Sequence, residues 1–77
     1  MPLLYRLPHC KIDMRSRDHR PAHVHVLFAD GREALVYLSD LTVETRGRIL
    51  SKELAAALEW LRPRAAQLAL DFEELQR

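Results

Sequence analysis

Three of the four histidines fall within seven residues, in Asp18-His19-Arg20-Pro21-Ala22-His23-Val24-His25-Val26. Imidazole titrates near neutrality and is the commonest metal ligand, so no other stretch of the chain is as dense in versatile side chains. His19 and His23 have the four-residue spacing of the helical zinc-protease motif. Arg20, however, stands where the catalytic glutamate belongs, and Pro21 is incompatible with a helix interior. The pair His23 and His25 is different. On a strand, residues two apart point to the same side with Cβ atoms about 7 Å apart, so both imidazoles reach one ion.

A third ligand, or a carboxylate that orients a histidine, is available from Asp13 on a neighbouring strand or from Asp18 or His19 in the preceding turn. His23, His25 and Asp13 would then hold a divalent transition metal such as zinc, and an open coordination position would suit hydrolysis. His19, His23, His25 and Asp18 form the candidate catalytic set of a metal-dependent hydrolase or ribonuclease. A metal-independent ribonuclease would use His19 or His25 as general acid or base. The purely structural alternative has Asp18 and His19 capping the turn while His23 and His25 bond to backbone or carboxylates.

The elements that must position these residues are legible on either side. Cys10, Ile12 and Met14 alternate with Lys11, Asp13 and Arg15, the period of a half-buried strand. Ser16 to Ala22 is a turn, and His23 to Ala29 a second strand rich in Val, Leu and Phe. Asp30-Gly31 predicts a two-residue hairpin that sets His25 opposite Val36 and Leu27 opposite Ala34. That register places His23, His25, Leu27, Ala34, Val36 and Leu38 on one face, and Val24, Val26, Phe28, Leu35 and Tyr37 on the other. With both faces apolar, the histidine face is expected to be covered by a helix or another subunit. A short fourth strand around Leu41 and Val43 ends near Gly47.

From Ser51, read as an N-cap, the pattern becomes helical. Leu54, Leu58, Leu61, Ala65, Leu68, Phe72 and Leu75 step by four and three, a heptad-like seam. Pro63 interrupts it and predicts a kink, or two helices meeting near Arg62. The fold class is therefore α+β: a three- to four-stranded antiparallel meander over about 4–45, packed against a C-terminal helix or kinked helical pair over about 51–76. The second half of the seam extends beyond what a small sheet needs, which points to a homo-oligomer.

At 77 residues the chain is one domain, 1–77, too short for two cores. Its 12 Lys and Arg against 11 Asp and Glu balance too closely for bulk electrostatics to attract nucleic acid. The cationic turn of Arg15, Arg17, His19 and Arg20 offers RNA phosphates only a small local patch. A single cysteine, Cys10, forms no internal disulfide and suits a reducing cytoplasm. No leader-like or membrane-spanning segment is visible, so the expected location is cytoplasmic, with no membrane partner.

Met1-Pro2, the Asp18–Val26 segment, Gly31, Gly47 and Glu59-Trp60 together resemble the small bacterial family known as domain of unknown function 4160. The likeness runs over nearly the whole chain. It departs at Ala22, where the family usually carries a second proline, and at Pro63 in the helical region. The resemblance implies a short protein, often encoded beside another small protein and suspected of belonging to toxin–antitoxin-like pairs. It carries over Asp18, His19, His23 and His25 as site residues. The leading expectation is a cytoplasmic interaction module whose turn and histidine strand form the contact surface. A metal-dependent hydrolase or ribonuclease is the alternative.

Overall fold

Alternating apolar side chains need a covering layer on one face of a sheet, and the helical half of the chain supplies it. The computed structural model describes residues 3–77; Met1 and Pro2, part of the family resemblance, lie outside the described residues. Strands β1 (Leu3–Arg6), β2 (Cys10–Asp13), β3 (His23–Phe28), β4 (Glu33–Tyr37) and β5 (Val43–Arg46) form one antiparallel sheet in sequence order. Helix α1 (Ser51–Leu61), a 3-10 turn (Arg62–Arg64) and helix α2 (Ala65–Leu75) follow.

The α+β meander is as expected, but the sheet has five strands rather than three or four. The additional strand is β1, whose Leu3-Leu4-Tyr5 run carries no alternation to announce it. It forms because β2 offers a free edge and because the Tyr5 ring stacks on Trp60 of α1, with centroids 4.8 Å apart and planes 7° from parallel.

The β3–β4 hairpin differs from the expected register by one residue. His25 lies opposite Leu35, Val24 opposite Val36, and Leu27 opposite Glu33. The loop is Ala29-Asp30-Gly31: Phe28 N–H donates to the Arg32 carbonyl (3.0 Å) and Gly31 N–H to the Phe28 carbonyl (3.0 Å). Only Gly31 of these three has positive φ, at 95°. This is a turn closed by a left-handed glycine, the three-residue alternative to a type I′ loop. A slip of one residue exchanges the faces of β4 relative to β3. Ala34 and Val36 therefore join Val24 and Val26 in the core, while Glu33, Leu35 and Tyr37 share the histidine face.

Gly31→Ala is expected to lower stability by about 1–2 kcal/mol, because the left-handed backbone alone is penalised. Its added Cβ would meet nothing within 4 Å. Gly47→Ala should cost more, since its Cβ would sit 3.1 Å from Arg32 Cγ as well as at positive φ. Urea titration of the two variants checks the order.

The core lies on one side of the sheet. Ile12, Val24, Val26, Ala34 and Val36 meet Leu54, Ala57, Leu61, Leu68 and Phe72 from the helices. The apolar seam thus continues across Pro63, which sits at the start of the 3-10 turn that separates α1 from α2. Leu68 and Phe72, in the half of the seam expected to reach beyond a small sheet, are buried within the chain itself. The N-cap of α1 is Leu50, not Ser51; Glu53 accepts the Leu50 N–H through its side chain (3.0 Å) and so performs half of a capping box.

Candidate functional site

The site begins at the buried end of β2. Met14 continues the β2 alternation into the core, and the chain then leaves the sheet and turns back at Arg17, whose φ is 55°. That reversal, unusual for a residue with a side chain, directs Asp18 toward the start of β3. The turn is tied to α2 at its base. Gln76 accepts the Asp18 N–H at 2.6 Å and donates to the Arg15 carbonyl at 3.0 Å. Arg20 forms a bidentate pair with Glu73, its closest contact being 2.6 Å.

His23 and His25 stand on the same side of β3 because they are two residues apart. One oxygen, Asp18 Oδ2, lies 2.9 Å from Nε2 of both rings. The other nitrogen of each ring is also engaged. His23 Nδ1 is 2.9 Å from the Pro21 carbonyl, and His25 Nδ1 is 2.6 Å from Glu33 Oε2. Glu33 is itself held by Arg15 at 3.2 Å. The His23 ring, fully buried, contacts Phe72 at a centroid separation of 5.4 Å and Tyr37 at 5.6 Å. His25 is 4% exposed.

The expected residues are distributed unevenly around this centre. Asp18, His23 and His25 converge, with one donor atom from each lying within 4.8 Å of the others. His19 stays outside: its ring is 61% exposed and lies 3.1 Å from the other Asp18 oxygen. Asp13 faces His25 across the β2–β3 ladder, which confirms that the polar side of β2 shares the histidine face. Yet Asp13 is not part of the converging group, and its buried Oδ1 has no hydrogen-bond partner among the described residues. The carboxylate that closes the cluster comes from the turn rather than from the neighbouring strand.

Glu33 was not singled out by the sequence, because a two-residue hairpin would have put it opposite Phe28. The signal that could have found it is the Ala29-Asp30-Gly31 spacing, equally compatible with a three-residue loop. The expected cover over the histidine face comes from within the chain. Asp18 and Glu33 close over His25, and Phe72 reaches His23, whereas α1 covers the opposite side of the sheet.

Burial pushes the Asp18 carboxyl up, but the His25 hydrogen bond, the His19 backbone N–H and the charge and hydrogen bond of His23 outweigh it. The net result is a value lowered to about 2. A folded value below the ordinary 3.8 stabilises the fold above that pH, and the contribution is lost as pH falls through about 2. Asp18→Asn is expected to flatten that acid limb of the stability profile, measured by urea titration at a series of pH values. Cys10 is a different case: burial pushes its thiol up, which suppresses the nucleophilic thiolate.

Fold and site together define a small α+β domain with a buried cluster of two histidines and one carboxylate behind a cationic turn. The sequence model of the family described as Domain of unknown function (DUF4160) matches residues 10–73, and the chain belongs to that family. No curated protein and no solved structure matches it. Among the described residues, no helix is long and apolar enough to cross a membrane.

Proposed function

We propose that this chain is a cytoplasmic interaction module, one half of a toxin–antitoxin-like pair, and that the Arg15–Ala22 turn is its principal contact surface. One observation carries the reading: the polar groups that hold the turn point inward onto β3 and the end of α2, while Arg17 and His19 are exposed. A turn anchored this firmly loses little conformational freedom when a partner docks, which favours recognition. Its outward groups favour an acidic partner surface.

The hydrolase or ribonuclease alternative needs an open coordination position or a reachable acid–base group. With His23 and His25 buried, the geometry supports the interaction reading better.

Co-expression with the protein encoded next to this chain is the direct test. The two should co-purify, and Arg17→Glu should release the partner without changing the thermal midpoint. A chain that remains alone at micromolar concentration, and whose expression leaves growth unaffected, would refute the assignment. Sedimentation velocity of the isolated chain tests whether a second copy fills the same role.

A further inference from the structure

We propose that Asp18, His23 and His25 bind one divalent transition-metal ion, which clamps the Arg15–Ala22 turn onto β3. This goes beyond the interaction reading and does not depend on it. The ligand set also differs from one built on Asp13, since it takes its carboxylate from the turn.

A neutral imidazole has one N–H, so it donates through one nitrogen and accepts through the other. Here all four ring nitrogens face oxygen acceptors: the Pro21 carbonyl, Glu33 Oε2 and, twice, Asp18 Oδ2. If each ring donates its proton through Nδ1, two Nε2 lone pairs point at one carboxylate oxygen. Each of these contacts then needs a proton, on a ring or on a carboxyl group, and a single metal ion can serve both in their place. Two protons would place two positive rings 5.1 Å apart, beside the Arg15 guanidinium and against the Asp18 and Glu33 carboxylates. One metal ion instead leaves both rings neutral and binds all three donors.

The surroundings fit this assignment. Metal-bound histidines characteristically donate the remaining N–H to a carboxylate or a backbone carbonyl, which fixes tautomer and ring orientation. His25 has Glu33 in that position and His23 has the Pro21 carbonyl. Zinc–ligand distances of about 2.0–2.1 Å separate tetrahedral ligand atoms by about 3.3 Å. Asp18 Oδ2 lies 2.9 Å from each nitrogen and the three donor atoms lie within 4.8 Å of one another, so ion binding would draw the two rings together as the carboxylate retreats. Nitrogen and carboxylate donors select zinc or a neighbouring first-row ion over calcium or magnesium. His19, the exposed imidazole 3.1 Å from the other Asp18 oxygen, is a further donor beside the group.

The test uses the untagged full-length chain, stripped with a chelator and titrated with cobalt(II), whose low-symmetry complexes absorb in the visible. The expected result is one cobalt per chain, displaced by zinc. At a zinc concentration about 100 times Kd, the thermal midpoint should rise by about 10 °C or more. Asp18→Asn and His25→Gln should abolish the visible bands, with circular dichroism reporting that each variant is folded. Glu33→Gln should keep the bands and weaken binding about 10- to 100-fold, the signature of a group acting through His25. Folded wild-type protein showing neither bands nor a thermal shift at about 1 mM cobalt or zinc would overturn the proposal. Undiminished binding in folded Asp18→Asn and His25→Gln would overturn it too, by placing the ion elsewhere.

Discussion

Asp18→Ala is expected to destabilise the metal-free protein by about 3–5 kcal/mol, far beyond what a turn residue ordinarily contributes. The Asp18 side chain, 17% exposed, is the shared partner of both buried imidazoles. Alanine leaves two inward-facing ring nitrogens without that partner, and each unsatisfied buried group costs about 1–3 kcal/mol. The substitution also releases the turn, because His19 loses both its backbone and its side-chain contact to the Asp18 carboxylate. Urea titration at neutral pH measures the effect as a fall in midpoint at constant slope. A loss below about 1 kcal/mol would mean that the histidines are satisfied without Asp18. A His25→Ala partner mutation should be strongly non-additive with Asp18→Ala, since both remove the same contact.

Phe72→Ala should cost a comparable about 3–5 kcal/mol, by the loss of a buried aromatic and the cavity left behind. Phe72 is fully buried, sits on α2 four residues before Gln76, and touches the His23 ring. Its loss therefore acts on the core and on the site together. Hydrogen exchange at the Asp18 amide, whose N–H donates to Gln76, should accelerate along with the fall in global stability. Leu70→Ala on the same helix is the control. Leu70 is exposed, so its truncation should change stability by no more than about 0.5 kcal/mol.

These two residues show why the helix matters to a site carried by a strand and a turn. Ser16 to Ala22 contains no regular element to hold it. The end of α2 supplies what is missing: Phe72 against His23, Glu73 to Arg20, and Gln76 to both Arg15 and Asp18. A site divided in this way responds to anything that shifts α2 against the sheet, which is the physical route by which a bound partner and a bound ion would influence each other.

Much of this was determined by the sequence alone. The alternation in Cys10–Met14, the Val-rich β3, the seam from Leu54 to Leu75 and the break at Pro63 specify a sheet covered by a divided helix, because each period admits one apolar face. The two-residue spacing of His23 and His25 settles that they share a side of the strand. Other features required the tertiary structure. β1 exists through its pairing with β2 and the Tyr5–Trp60 stack, neither of which leaves a local pattern. Glu33 reaches His25 because the hairpin closes over three residues instead of two, and a single residue of register exchanges the faces of a strand. The choice of Asp18 over Asp13 rests on the left-handed backbone at Arg17 and on Gln76, 58 residues away from Asp18. Composition and spacing name the groups that can do chemistry, but convergence on one oxygen is a property of long-range contacts and of backbone torsions that no local pattern encodes.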